Sequence, residues 1–122
     1  MTRLKFAATT ALLTLTMAAT VASAAEFGAL AYSRSTGSYG SSHNYSTRAD
    51  AEDEALSNCS SYADDCRIVV YFRNACGALA VGSRRGFGYG WSARRGEARY
   101  TALANCREND RGCRIVNWTC SK

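Results

Sequence analysis

Apolar and small residues recur along the chain in the same order twice, separated by stretches rich in glycine and serine. The segment GALA at residues 28–31 returns at residues 77–80, and each copy leads into a turn-forming stretch. Short apolar runs bounded by such turns are typical of β-strands. A second strand is predicted after each turn, over residues 39–45 and 87–92.

Each pair of predicted strands is followed by a helical pattern of small side chains. Residues four apart lie on one face of a helix. Small residues repeat at this spacing in both halves, at Ala51, Ala55, Cys59, Ala98, Ala102 and Cys106. A face this small predicts that each helix lies close against a sheet. Thr47, with Asp50 three residues later, predicts the start of the first helix.

Two further blocks match between the halves and complete an internal repeat. ALSNC at residues 55–59 matches ALANC at 102–106, and the block CRIV opens the last predicted strand of each half. Three blocks in the same order indicate a duplication. The sequence therefore predicts an α+β fold of two tandem ββαβ repeats, with pseudo-twofold symmetry and one shared core. The predicted repeats cover residues of about 26–75 and 76–122.

The first 24 residues have the layout of a secretory signal peptide. Arg3 and Lys5 precede an apolar run, and small residues at Ala22 and Ala24 fit a cleavage site. The apolar run is short for a membrane span, which needs about 20 residues. The sequence predicts cleavage after Ala24 and one secreted or periplasmic domain over residues 25–122, with no transmembrane segment after cleavage.

All six cysteines lie in the predicted mature domain. An even number of cysteines in a short exported chain predicts a disulfide framework, although six cysteines allow 15 pairings. A metal site is the alternative, but the chain has one histidine and no C-x-x-C pair, so neither a metal nor a cofactor is expected. The repeat favours three bonds as a hypothesis: Cys59–Cys66, Cys106–Cys113 and Cys76–Cys120.

Charge divides unequally between the two halves. Residues 26–75 contain four arginines and seven acidic residues, a net charge of −3. Residues 76–122 contain nine basic and three acidic residues, a net charge of +6. Because such an asymmetry steers anionic partners toward one face, the expected partner is an anionic polymer, a lipid head group or an acidic protein.

The most basic stretch, RRGFGYGWSARRG at residues 84–96, interleaves arginines with glycines and aromatic residues. Its start is similar to an RNA-recognition pattern, but that pattern belongs on a central strand and Gly90 replaces the expected aliphatic residue. Nucleic acid is therefore not the expected partner. Arginine binds carboxylate or phosphate bidentately, and aromatic rings stack on bases or sugars. The candidate binding residues are Arg84, Arg85, Phe87, Tyr89, Trp91, Arg94 and Arg95. In the alternative interpretation, the aromatic residues pack in or stiffen a glycine-rich hairpin and the arginines aid solubility.

The remaining polar residues have simpler interpretations. His43 is the sole histidine and lies among serines, but no nucleophile-elbow pattern surrounds it, so an exposed hairpin histidine is expected. Acidic residues cluster at 50–54, 64–65 and 108–110. We interpret these clusters as solvated helix and loop positions rather than as a glycosidase pair or a calcium loop.

Several of these segments together resemble one bacterial secreted family, known as domain of unknown function 4189. The junction RNACGALA at residues 73–80 and the paired AL-x-N-C and CRIV blocks carry most of the likeness, which covers nearly the whole mature chain. The resemblance implies export, structural disulfides and a duplicated α+β fold, and it supplies no catalytic residues. The basic charge of the second hairpin departs from the family pattern.

A non-enzymatic binding domain is the function that these observations favour, with the basic hairpin as its contact surface. A secreted inhibitor or effector of a foreign protein is the alternative, because small disulfide-bonded scaffolds suit that role. A hydrolase that uses His43 with a nearby serine is a third hypothesis.

Overall fold

A computed structural model of the chain describes residues 7–17 and 24–122, with all regular structure between Phe27 and Cys120. The predicted α+β class is confirmed. In chain order the elements are β1 (Phe27–Tyr32), β2 (Tyr39–Tyr45), α1 (Arg48–Ser60), β3 (Arg67–Arg73), β4 (Cys76–Val81), β5 (Phe87–Ser92), α2 (Arg95–Asn109) and β6 (Arg114–Cys120).

The strands form two antiparallel sheets of three strands each, ordered β2-β1-β3 and β5-β4-β6. In both sheets the first strand of its half lies in the centre, flanked by the strands that follow it. Helix α1 packs on the first sheet and α2 on the second. Thr47 caps α1 as predicted, because its side chain accepts a hydrogen bond from the Asp50 N–H.

Alternate residues of the central strands face opposite layers of the molecule. Leu30 of β1 and Leu79 of β4 lie with Phe72 in a core between the two sheets. Ala29 of β1 packs against α1, and Ala78 of β4 packs against α2. The layers are therefore helix, sheet, sheet and helix, with the larger side chains in the middle.

The small residues on the helices allow the close approach that the sequence predicts. A Cβ added at Gly88 of β5 would lie 2.1 Å from the Cys106 nitrogen, and one at Gly40 of β2 would lie 2.3 Å from the Ala55 oxygen. Side chains at these strand positions would collide with the helix backbone. Glycine on the strand and alanine or cysteine on the helix thus set the distance between the layers.

Three disulfide bonds fasten this arrangement, and they join the same pairs that the repeat favours. Cys59–Cys66 and Cys106–Cys113 each close a seven-residue separation between the end of a helix and the next strand. Cys76–Cys120 joins the start of β4 to the end of β6. All six cysteines are used in these bonds.

The predicted signal peptide falls largely outside the described residues, which omit 1–6 and 18–23. Residues 7–17 form neither helix nor strand. Within the described ranges, neither helix has the length and apolar character needed to cross a membrane.

Candidate binding site

The predicted basic patch is divided by the strand on which it lies. Arg84 and Arg85 precede β5 and Arg94 and Arg95 follow it, so the two pairs lie at opposite ends of a six-residue strand. At about 3.3 Å per residue this strand is about 20 Å long. The structure does not bring the four arginines together into one site.

The aromatic residues of β5 share one face of the strand, but only two of them are exposed. Trp91 is 62% exposed and Tyr89 is 43% exposed. Phe87 packs instead against Tyr32 of the first sheet, with ring centroids 5.2 Å apart. The intervening glycines face α2, since a Cβ at Gly90 would lie 2.3 Å from the Ala98 oxygen.

Arg85 has a structural role in the turn between β4 and β5. It adopts the left-handed region, with φ of 65°, and its carbonyl accepts a 2.9 Å hydrogen bond from the Tyr32 hydroxyl. Its guanidinium donates to the Ser35 carbonyl in the turn of the other half. These bonds link the two hairpin turns, so Arg85 is committed within the fold. Burial of the Tyr32 hydroxyl raises its pKa.

Asp110 holds the same turn from the loop that follows α2. Its carboxylate accepts hydrogen bonds from the backbone N–H groups of Arg84 at 2.9 Å, Gly86 at 2.8 Å and Arg111 at 2.7 Å. The bond from Arg111, with those from Arg84 and Gly86, holds the pKa of Asp110 below its usual range. Asp110 is therefore a loop residue, as interpreted, whose carboxylate also holds the turn.

The first half uses a carboxylate in a similar way. Asp65 accepts a hydrogen bond from the buried hydroxyl of Ser33, which begins the turn between β1 and β2, and this bond lowers the pKa of Asp65. An acid in the loop after each helix thus anchors the hairpin turn of its own half.

Three exposed arginines remain beside the second turn. Arg84, Arg107 and Arg111 line one shallow depression together with Glu108 and Asp110. We call these three arginines the turn-end cluster. The Asp110 carboxylate in this depression is engaged by backbone N–H groups.

Arg95 lies at the other end of β5 and stacks on an aromatic ring. Its guanidinium carbon is 4.9 Å from the centroid of Trp118. The first half contains the equivalent pair 47 residues earlier, with Arg48 at 3.6 Å from the Tyr71 centroid. Cation–π contacts of this kind stabilise the charge on a guanidinium. Arg48 also donates a hydrogen bond to Glu52, which raises the pKa of Arg48.

A groove opens where the outer strands β3 and β5 of the two sheets meet. Its volume is about 570 Å³, within the range of about 300–1,000 Å³ typical of small-molecule sites. We call it the β3–β5 groove. Its lining consists of aromatic residues and arginines: Phe27, Arg48, Tyr71, Phe72, Arg73 and Trp91.

Sequence reasoning found only Trp91 among these lining residues. Arg73 and Phe27 lie 46 positions apart and meet only because β1 and β3 pair, which places them opposite each other. The repeat did carry one signal for the site. The offset of 47 residues relates Arg48 and Tyr71 to the pair at Arg95 and Trp118.

Ser42, the serine beside the sole histidine, makes hydrogen bonds within the fold. The Ser42 side chain is buried, donates to the Ala51 carbonyl at 2.5 Å and accepts from the Ala29 N–H at 3.1 Å. His43 is exposed on the opposite face of β2. The structure therefore places this serine and histidine on different sides of the strand.

The asparagine of the repeated AL-x-N-C block has a role that sequence reasoning missed. Asn58 donates to the Ser41 carbonyl of β2 at 2.9 Å, and Asn105 donates to the Tyr89 carbonyl of β5 at 2.8 Å. Both acceptors are on outer strands. Each asparagine therefore covers part of a sheet edge, where unpaired carbonyl groups would otherwise invite another strand.

The fold and its bonds define a small disulfide-bonded α+β domain built from two three-stranded sheets. A family model described as Domain of unknown function (DUF4189) matches residues 27–120. The chain belongs to this family, and the resemblance inferred from the sequence is confirmed.

Similar proteins come from mycobacteria. Protein Rv1269c of Mycobacterium tuberculosis and Protein Mb1300c of Mycobacterium bovis are each 45% identical over 58 residues, which is 48% of this chain and 44% of theirs. The match thus covers less than half the length of these relatives. The NMR structure of Rv1813c from Mycobacterium tuberculosis has a TM-score of 0.58 at 33% identity, over 78% of this chain and 74% of that one.

Proposed function

We propose that this protein is an exported, non-enzymatic binding domain for an anionic partner. In this proposal the chain is a duplicated ββαβ unit with pseudo-twofold symmetry that folds as one domain over residues 25–122. Removal of residues 1–24 leaves it in the periplasm or outside the cell.

Two features of the described residues support export. The three disulfide bonds are of the kind that persists in oxidising compartments. Residues 7–17 leave their large apolar side chains exposed, as a removable leader would. These side chains are Leu12, Leu13, Leu15 and Met17.

The separation of charge between opposite faces is the observation that carries the binding proposal. Each half of the chain supplies one helix and one sheet, so its net charge of −3 or +6 belongs to its own pair of layers. On α1 the acidic residues are Asp50, Glu52, Asp53 and Glu54. On α2 the arginines Arg95, Arg99 and Arg107 outnumber the acidic residues Glu97 and Glu108. An anionic partner is therefore attracted to the α2 face and repelled by the α1 face.

Several polar residues make hydrogen bonds that stabilise the fold, and this supports a binding role over a hydrolytic one. A nucleophile needs a base held within hydrogen-bond reach, whereas the Ser42 hydroxyl bonds to Ala51 and His43 lies on the other face of β2. Asp65 and Asp110 are occupied in holding hairpin turns. These residues serve the fold in ways that leave little for acid–base chemistry.

Retention of the oxidised chain on immobilised heparin tests this proposal. We expect Arg84→Ser with Arg107→Ser to elute at clearly lower salt, because the turn-end cluster provides exposed charge on the basic half. The matched control is Arg34→Ser with Arg67→Ser, which removes the same charge from the acidic half. Neither pair removes a buried side chain.

Equal elution of both double variants and the unmodified chain would contradict the proposal. Binding to anions depends on salt because small ions compete for the same charges. Capture of one protein at an affinity that salt does not change would instead favour the inhibitor or effector hypothesis.

A further inference from the structure

We propose that the β3–β5 groove is a binding site for an acidic saccharide, whose sugar ring stacks on Trp91 and whose carboxylate pairs with Arg73. This inference rests on the proposed function as an anion-binding domain, and it assigns specific recognition to a place other than the turn-end cluster. The two halves of the chain differ at this groove.

The start of the central strand is bonded covalently to the last strand of its sheet in the second half of the chain, but not in the first half. In the second half, Cys76 of β4 lies opposite Cys120 of β6, and a disulfide joins them. In the first half, the corresponding residues of β1 and β3 are Phe27 and Arg73. Among the described residues, these strand partners have a cation–π contact of 6.0 Å in place of the disulfide, so the guanidinium can turn toward a ligand.

The outer strands β2 and β5 also differ between the two halves. Trp91 of β5 lies opposite Gly77 of β4, and the corresponding place in β2 is an irregularity that contains His43 and Asn44. Asn44 is tied to the C-terminal residues, since its N–H donates to the Ser121 hydroxyl at 3.0 Å and its side chain accepts from the Lys122 N–H at 3.3 Å. Lys122 also donates to the Ala93 carbonyl at 2.7 Å. The counterpart of the groove is therefore filled by the chain itself.

Nothing equivalent covers Trp91 among the described residues, and its indole ring is 62% exposed. A ring this large on a surface strand offers a flat apolar face on which a ligand ring can stack. Tyr71, 41% exposed, lines the same groove. The β3–β5 groove thus places two exposed aromatic residues beside each other on the side that the disulfide and the C-terminal residues leave open.

The lining selects the class of ligand. It has no aliphatic side chain among its residues, so it lacks the pockets that anchor an apolar peptide or helix. Aromatic faces accept the apolar face of a sugar ring, and a guanidinium binds a carboxylate in bidentate fashion. Arg73 is the cation available for this, because Arg48 already pairs with Glu52. Among the described lining residues, one cation without an acidic partner fits one acidic group per bound segment.

A nucleic acid fits these observations less well. Its binding depends on several phosphate contacts at once, whereas the β3–β5 groove holds two arginines and one of them is paired. Stacking alone binds a base and a sugar alike. The number of available cations therefore favours a saccharide with isolated acidic groups over a polyphosphate chain.

Calorimetric titration of the oxidised chain with a tetrasaccharide of alternating glucuronate and N-acetylglucosamine tests this inference. Trp91→Ala should weaken binding about tenfold or more, in line with the loss of a stacking contact. Arg73→Gln should weaken binding of the acidic tetrasaccharide about tenfold, as expected for a lost charged hydrogen bond. The same variant should bind neutral chitotetraose as the unmodified chain does.

The matched control is Trp118→Ala. This variant removes the tryptophan of β6 on which Arg95 stacks, in the half that carries the Cys76–Cys120 disulfide. It should change the affinity by less than about twofold, as expected for a residue outside the site. Equal losses from Trp118→Ala and Trp91→Ala, or tighter binding of an octathymidylate, would overturn the inference. Nuclear magnetic resonance spectra of each variant confirm that the fold is retained.

Heparin retention separates this inference from the proposed function. If Arg84→Ser with Arg107→Ser lowers heparin retention while the tetrasaccharide does not bind, the groove assignment fails and the binding proposal stands. If neither ligand binds the unmodified chain, both fail.

Discussion

At the scale of single residues, a carboxylate decides the shape of the basic turn. Asp110 accepts from three backbone N–H groups, so the arginines around it are displayed on a fixed loop. A carboxylate that accepts several backbone hydrogen bonds is favoured in its charged form, which lowers its pKa. The direction found for Asp110 agrees with this.

This bonding predicts a pH dependence of stability. Because the pKa of Asp110 is lower in the folded than in the unfolded chain, its contribution is present above the unfolded value of about 3.9 and is lost as pH falls through the folded value. Asp110→Ala should lower the melting temperature at pH 7 and reduce its further fall below pH 4. Thermal unfolding between pH 3 and 7 measures this, with Glu108→Ala as the neighbouring control. Parallel curves for Asp110→Ala and the unmodified chain would contradict the assignment.

Residue-scale roles were the hardest to predict from the sequence. Arg85, a predicted binding residue, bonds to Ser35, which is 50 positions away. Only the packing of the two sheets brings these turns together. Trp91 is exposed, whereas Phe87 packs against Tyr32, although both residues lie on β5. This difference depends on which part of β5 the other sheet covers.

At the scale of elements, the fit between helix and strand depends on glycine. Gly88 of β5 lies under α2, with the Cys106 nitrogen 2.1 Å from a hypothetical Cβ, whereas a Cβ at Gly96 of α2 would meet nothing within 4 Å. The two positions are eight residues apart, yet they should respond to the same substitution in opposite directions.

Gly88→Ala should destabilise the fold by about 1–3 kcal/mol, because the helix must move away from the sheet. Gly96→Ala should stabilise it by about 0.5–1 kcal/mol, since alanine restricts the unfolded chain and favours a helix. Urea denaturation of both variants gives the two free energies of unfolding. A stabilising Gly88→Ala would show that the layers are farther apart than described.

The elements themselves follow closely from the sequence pattern. The predicted strands over residues 39–45 and 87–92 have the bounds of β2 and β5, because the glycine-rich turns delimit them sharply. The alanines that predicted a close helix face are fully buried in both halves. What the pattern left open was how the two sheets face each other, since that depends on contacts between the halves.

At the scale of the whole molecule, the disulfides contribute unequally. The Cys76–Cys120 bond spans 44 residues, while the other two span seven each. In the chain-entropy model a bond that closes a longer loop restricts the unfolded chain more. The long bond also occupies the position that stays open in the first half.

Removal of the long bond should therefore cost more. Cys76→Ala with Cys120→Ala should lower the free energy of unfolding by about 4 kcal/mol, and Cys59→Ala with Cys66→Ala by about 2.5 kcal/mol. Chemical denaturation of the two double variants provides the comparison. An equal loss, or a larger loss from the short loop, would mean that native packing near Cys59 outweighs loop closure.

The charge separation and the open groove exist only at this scale. The net charges of −3 and +6 follow from the sequence, and in our proposal the layered fold places them on opposite faces. The groove required both sheets, because β3 belongs to the first half and β5 to the second. Its signature in the sequence is the place where the repeat fails, with Phe27 and Arg73 in place of a cysteine pair.

The most direct test of this account is a titration of the ¹⁵N-labelled, oxidised chain with the glucuronate tetrasaccharide, followed by nuclear magnetic resonance. We expect the indole N–H of Trp91 and the amide signals of Phe27 and Arg73 to shift together in a saturable manner, while the indole N–H of Trp118 does not move. Shifts of both indole signals, or shifts confined to the turn-end cluster, would contradict the assignment of the β3–β5 groove as the binding site.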